Sequence, residues 1–133
     1  MKIKVTTIEQ KIIVPSTPAK VYGALLDSEK HSSFTGSKAI IDPSVGGKFT
    51  AWDGYIRGKN ILLERDKRII QEWVTTEWPK GYSPSTLELT FKETKDGTEI
   101  KMIHSGVPAG QAEDIERGWI DFYWHPLKEY LKK

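Results

Sequence analysis

The chain has 133 residues, 20 Lys and Arg against 18 Asp and Glu for a net charge of +2, and no cysteine. That length suits one domain, residues 1–133, around one core, and the lack of thiols excludes disulfides, thiolate metal sites and cysteine nucleophiles. Interspersed charge offers no clustered basic face for nucleic acid, and no run approaches a membrane span, so neither partner is expected.

The N-terminal Met1-Lys2-Ile3-Lys4-Val5-Thr6 alternates charge with apolar residues and holds no signal-peptide core. A cytoplasmic location is the default. Ile8, Ile12 and Val14 fall on one face of a strand over Ile8 to Val14, with Gln10 in line and Glu9 and Lys11 opposite. Pro15 stops it. Ser16-Thr17-Pro18 places a cap residue before a proline at the first helical position. Val21, Tyr22, Leu25 and Leu26 then supply the apolar stripe of a helix of about two to three turns. Ser28 is the candidate cap of a second short helix ending near Phe34 or Gly36. His31, among polar neighbours on that helix, is assigned to the surface.

From there to Gly106 the pattern is that of an antiparallel sheet, with Asp53-Gly54 and Asp96-Gly97 as hairpin turns. As two-residue loops they set the register. Around the first, Trp52 faces Tyr55, Ala51 faces Ile56 and Phe49 faces Gly58; around the second, Phe91 faces Met102 and Leu89 faces His104. Glu64 to Lys67 turns the chain between them and brings Trp73 opposite Gly58, where a glycine leaves room for the rings of Phe49 and Trp73. Gly46-Gly47 lacks the later lysine of a phosphate loop and predicts a bulge or tight turn. Trp78 to Pro84 is a loop carrying Trp78 and Tyr82.

In the last segment, Ala112 to Leu131, residues Ile115, Trp119, Phe122, Pro126 or Leu127, and Tyr130 recur at helical spacing. Glu113, Asp114 and Glu116 suit the positive end of that helix, and Lys128, Lys132 and Lys133 the negative end. Pro126 removes a donor and crowds the carbonyl of Phe122, which predicts a kink or irregular turn there. Gly118 admits a close neighbour beside Trp119. Helices on one side of an antiparallel sheet make the class α+β.

This order of elements resembles the helix-grip fold of the START-like (SRPBCC, birch-pollen-allergen-like) superfamily. A narrower likeness is carried by Val21-Tyr22-Gly23-Ala24-Leu25-Leu26-Asp27, Val45-Gly46-Gly47-Lys48-Phe49, Gly54 with Gly58, and Arg68-Ile69-Ile70-Gln71-Glu72-Trp73. It continues through Gly97-Thr98-Glu99-Ile100, His104-Ser105-Gly106-Val107-Pro108 and Gly118-Trp119-Ile120-Asp121-Phe122-Tyr123-Trp124-His125-Pro126-Leu127-Lys128. On these residues the chain resembles the activator of heat-shock-protein-90 ATPase homologue-like family. The likeness implies a curved sheet of about six to seven strands wrapped around a long C-terminal helix, with two short helices after the first strand. It also implies one of two roles: holding a small apolar molecule between sheet and helix, or serving as a chaperone cofactor in the stress response. Eukaryotic co-chaperones of the family add an N-terminal domain that contacts the chaperone, for which this length leaves no room.

The candidate cavity lining is Phe49, Trp73, Leu89, Phe91, Met102, His104, Trp119, Phe122 and Tyr123, with Tyr22 or Tyr55 as further polar anchors. A filled core is the alternative; a curved sheet under a bent helix leaves space. His104 shares the parity of Ile100 and Met102 and points inward, whereas the adjacent Ser105 points outward, so the two form no triad. His125 is placed at an exposed edge. No histidines have metal-ligand spacing, and Glu72, Glu77, Glu88 and Glu99 fit solvated strand faces. No catalytic set, metal or cofactor is expected. The reading is a non-catalytic binding domain for a small hydrophobic or amphipathic ligand, monomeric or weakly dimeric. The alternative is a chaperone-interaction module marked by an exposed patch at Trp78, Tyr82 and Trp124, and less favoured is an enzyme like the superfamily's cyclases and hydrolases.

Overall fold

In the computed structural model, which describes residues 3–132, seven strands form one antiparallel sheet. Met1 and Lys2 of the N-terminal reading and Lys133 of the helix's basic end lie outside the described residues. The strands are β1 (Val5–Val14), β2 (Ile40–Ile41), β3 (Lys48–Ala51), β4 (Ile56–Glu64), β5 (Arg68–Thr75), β6 (Ser85–Thr94) and β7 (Gly97–Pro108), and they lie in the order β1-β7-β6-β5-β4-β3-β2. Helices α1 (Pro18–Leu26) and α2 (Ser28–Thr35) follow β1. A 3-10 turn (Ala109–Gln111), α3 (Ala112–Trp119), a π turn (Ile120–Trp124) and α4 (His125–Leu131) close the chain over the sheet.

The local causes are visible residue by residue. Thr17 caps α1 by accepting from the Lys20 amide, with Pro18 in the first turn as expected. The cap of α2 is Asp27, accepting from the Lys30 amide at 2.9 Å, and not Ser28. Ser28 Oγ instead accepts from the amide of Ile41 at 2.8 Å and ties β2 to the helix. Strand β1 begins at Val5, ahead of the expected Ile8, and a bulge separates Thr6 from Ile8.

The first hairpin has the expected register, Ala51 opposite Ile56 and Phe49 opposite Gly58. Asp53 and Gly54 both take positive φ, 57° and 91°, and the Tyr55 amide closes the turn on the Trp52 carbonyl at 3.1 Å. Gly58 also faces Trp73, and a Cβ on it would strike the Glu72 carbonyl and the Phe49 ring, so the glycine is required for the three-strand stack.

The second hairpin departs from expectation. Phe91 pairs with Ile100, Leu89 with Met102 and Leu87 with His104, two residues away from the predicted partners. The loop residues are Lys95 and Asp96, the Asp96 amide donates to Thr94 Oγ1, and Gly97, at φ 135°, already belongs to the strand. A shift of two preserves the face of every side chain, so the buried set on β6 and β7 is the predicted one: Leu87, Leu89, Phe91, Ile100, Met102 and His104.

The C-terminal irregularity lies at the π turn, just before Pro126. The His125 amide reaches back five residues to the Ile120 carbonyl, and Pro126 sits in the first turn of α4, where its missing donor costs little. The wider turn adds one residue to the circuit. The inward positions after Trp119 therefore become Tyr123, Trp124 and Leu127, while Phe122, expected under the helix, is 56% exposed. Gln10 fastens this segment to β1: its side chain donates to the Glu116 carbonyl at 2.9 Å and accepts from Trp124 Nε1 at 2.7 Å.

Candidate ligand cleft

Where the β3–β4 turn approaches α3, sheet and helix do not close on one another, leaving a cleft of about 330 Å³. Trp52 and Tyr55 of the turn, Ile56 of β4, and Trp73 and Thr75 of β5 form one wall. Ile115, Gly118 and Trp119 of α3, with Phe122 and Tyr123 of the π turn, form the other. Trp52 meets Phe122 edge to face at 5.6 Å, and Trp73 lies 5.9 Å from Trp119. Gly118 opens the helix side: a Cβ there would meet only Phe122 Cδ2, at 3.8 Å.

Two buried histidines brace these walls from behind. Trp119 Nε1, which can only donate, gives its hydrogen to His104 Nδ1 at 3.1 Å. Ser85 donates to the Trp73 carbonyl at 2.6 Å, so its oxygen accepts from His104 Nε2 at 2.9 Å. These partners assign a neutral ring protonated at Nε2. Burial pushes its pKa down to about 3. A proton on Nδ1 would also face the indole N–H.

His31, expected at the surface, is 7% exposed. Its Nδ1 donates to the Leu25 carbonyl at 3.0 Å, leaving Nε2 to accept the Tyr123 hydroxyl hydrogen at 3.0 Å. Burial lowers its pKa, partly opposed by the Leu25 bond, and burial raises that of Tyr123. The sequence signal that locates His31 is its spacing of three from Phe34, which places both on the same helix face; the rings lie 5.0 Å apart.

Of the nine residues expected to line a cavity, Trp73, Trp119, Phe122 and Tyr123 line this cleft. Phe49 and Leu89 instead border a separate void of about 30 Å³ deeper in the core. Phe91 packs edge-on against Tyr22 at 6.2 Å, Met102 is core, and His104 stands behind Trp119, so these three and Tyr22 are away from the cleft. Tyr55 lines it, donating its hydroxyl to Glu77 Oε1 at 2.6 Å. Burial first, then the Glu77 bond, raises the pKa of that hydroxyl.

Trp52, Ile56, Thr75, Ile115 and Gly118 are lining residues absent from the expected set. Trp52 follows β3 with φ 54°, and no periodic pattern reports where a turn side chain goes. The expected patch of Trp78, Tyr82 and Trp124 does not form. Trp124 is 2% exposed, Trp78 Nε1 donates to the Ser83 carbonyl, and the Tyr82 hydroxyl accepts from the Lys4 amide. Among the described residues, no group of three or more histidines or carboxylates is placed to hold a metal, and no helix is long and apolar enough to cross a membrane.

A seven-stranded antiparallel sheet gripping a C-terminal helical segment, with two short helices after the first strand, is the helix-grip fold. Residues 15–132 match the model of the family described as "Activator of Hsp90 ATPase homolog 1-like protein", and the chain belongs to that family. It is 30% identical over 129 residues to the Homo sapiens protein named activator of 90 kDa heat shock protein ATPase homolog 1, covering 97% of this chain and 38% of that one. The Dictyostelium discoideum activator homolog is 30% identical over 114 residues, 85% of this chain and 30% of that one. This chain thus spans well under half of these relatives. Among solved structures, an HSP90 activator from Plasmodium falciparum superimposes with a TM-score of 0.84 at 25% identity, covering 96% of each chain. The Aha1 dimer from Colwellia psychrerythraea shares the fold at a TM-score of 0.80 and 17% identity, covering 95% of this chain and 96% of that one.

Proposed function

We propose that this chain is a non-catalytic binding domain that takes a small hydrophobic or amphipathic molecule between the sheet and the C-terminal helix. The observation that carries the reading is the apolar cleft of about 330 Å³, walled by tryptophans from three different elements and by Phe122. Its size falls in the range of small-molecule sites, and a few polar groups at one end, the Tyr55 hydroxyl and Thr75, suit the orienting of an amphipathic guest. Native mass spectrometry against a panel of lipids and metabolites is the test. A one-to-one complex with the wild-type chain that weakens sharply in Gly118→Leu, whose side chain would project into the cleft, is the expected result; complexes unaffected by that substitution count against the cleft as the binding site.

A second reading, a chaperone-cofactor module acting in the cytoplasm during stress, is favoured by family membership and by the names of the human and Dictyostelium relatives. Addition of the chain to a 90 kDa heat-shock-protein ATPase assay separates the two. A changed hydrolysis rate supports the cofactor reading, whereas an unchanged rate without co-sedimentation counts against it. Sedimentation velocity on the same samples tests the accompanying expectation of a monomer or weak dimer.

A further inference from the structure

The cleft's walls and rim point to a guest of particular chemistry. Six of its ten lining residues are aromatic, and none is Lys or Arg. Indole and phenol faces attract cations through the ring quadrupole, most strongly where water is excluded. At the rim, Glu77 accepts the Tyr55 hydroxyl through Oε1, and Gln111 Nε2 holds the Glu77 main-chain carbonyl at 2.8 Å, so the carboxylate is fixed beside the opening. Asp114 stands one helical turn before Gly118, and its charge reaches the Tyr55 hydroxyl. Among the described residues neither Glu77 nor Asp114 is in an ion pair. Two carboxylates outside any ion pair, beside an aromatic opening with no Lys or Arg in its lining, disfavour an anionic guest and suit a positive one.

Resting on the cleft reading above, we propose that the guest is a small organic cation: an ammonium or quaternary ammonium group on an apolar stem. The stem lies against Ile115, Trp119 and Trp73. The positive head stays at the opening among Trp52, Tyr55 and Phe122, within the field of Glu77 and Asp114.

The test compares three probes on one stem by calorimetry: a phenylalkyl trimethylammonium, its isosteric neutral tert-butyl analogue with carbon in place of nitrogen, and the matching phenylalkyl carboxylate. The expected order is cation, neutral, anion, with the cation at least about tenfold tighter than the neutral analogue. In the double variant Glu77→Gln, Asp114→Asn, that preference collapses while the neutral analogue keeps its affinity; both sites are exposed, and the side-chain amide introduced by Glu77→Gln can still accept from the Tyr55 hydroxyl. A neutral analogue that binds the wild type as tightly as the cation overturns the charge assignment and leaves the apolar cleft reading intact. A cation preference undiminished in the double variant overturns the part given to Glu77 and Asp114 and leaves the selectivity to the aromatic faces. Failure of all three probes to bind overturns the cleft reading together with this one.

Discussion

His104 shows how one side chain constrains several others. It is fully buried, takes a hydrogen from Trp119 and gives one to Ser85, and Ser85 passes its own to the Trp73 carbonyl. Two tryptophans of the cleft are thereby held through one imidazole. Ser85→Ala would leave the Nε2 hydrogen of His104 buried without an acceptor, because the other tautomer would set two donors against each other at Trp119. The expected cost is about 1–3 kcal/mol of unfolding free energy, read from urea titrations. A loss within error of zero would mean that the ring is held by packing and not by this bond. The inward direction of His104 was legible in the alternation of β7; its partners were not, since Trp119 and Ser85 reach it from another element and a neighbouring strand. The same gap explains His31, whose polar neighbours suggested solvent while the tyrosine that buries it lies 92 residues away.

At the level of elements, local chemistry carried the reading far. Caps, turn dipeptides and strand parity located both short helices and the inward faces of β6 and β7. Where two solutions were locally equivalent, the choice was not legible: Asp27 and Ser28 can each cap α2, and the second hairpin can turn at Lys95-Asp96 or at Asp96-Gly97 without exchanging faces. The π turn is of the same kind. Pro126 demands an adjustment, but whether the helix kinks or widens depends on which residues the sheet can receive, and widening brings Tyr123 and Trp124 inward together. Gly118, just before that turn, tests the idea that the cleft is kept open at a cost in helix stability. Alanine there meets only Phe122 Cδ2 at ordinary contact distance and removes the glycine penalty, so Gly118→Ala should gain up to about 1 kcal/mol. Its methyl also enters the cleft, so ligand affinity should fall. A rise in Tm with weaker binding is the expected pair of results; a fall in Tm would show that a neighbour packs too closely against the helix at 118 to admit a methyl.

For the whole molecule, the two buried histidines tie folding to pH. Both are neutral in the fold, with pKa values lowered chiefly by burial, that of His104 to about 3. In the unfolded chain an imidazole takes up its proton near pH 6.5. Above that value neither state binds the proton and the full stability is present. As pH falls from 6.5 toward 3, the unfolded state gains protons that folded His104 refuses, so unfolding becomes steadily easier. From pH 6.5 to pH 5, above most of the range where carboxylates titrate, His104 alone should remove about 2 kcal/mol, and His31 adds to the loss in the same direction. Urea unfolding at half-unit steps of pH measures this. His104→Gln should begin less stable at pH 7, because its bonds to Trp119 and Ser85 are disturbed, yet its stability should fall less steeply between pH 6.5 and 5. Equal slopes for variant and wild type would remove His104 as the source. Because His104 holds Trp119 and His31 holds Tyr123, the acid transition should also open the cleft wall, and probe binding and the folded fraction should be lost together along the pH axis.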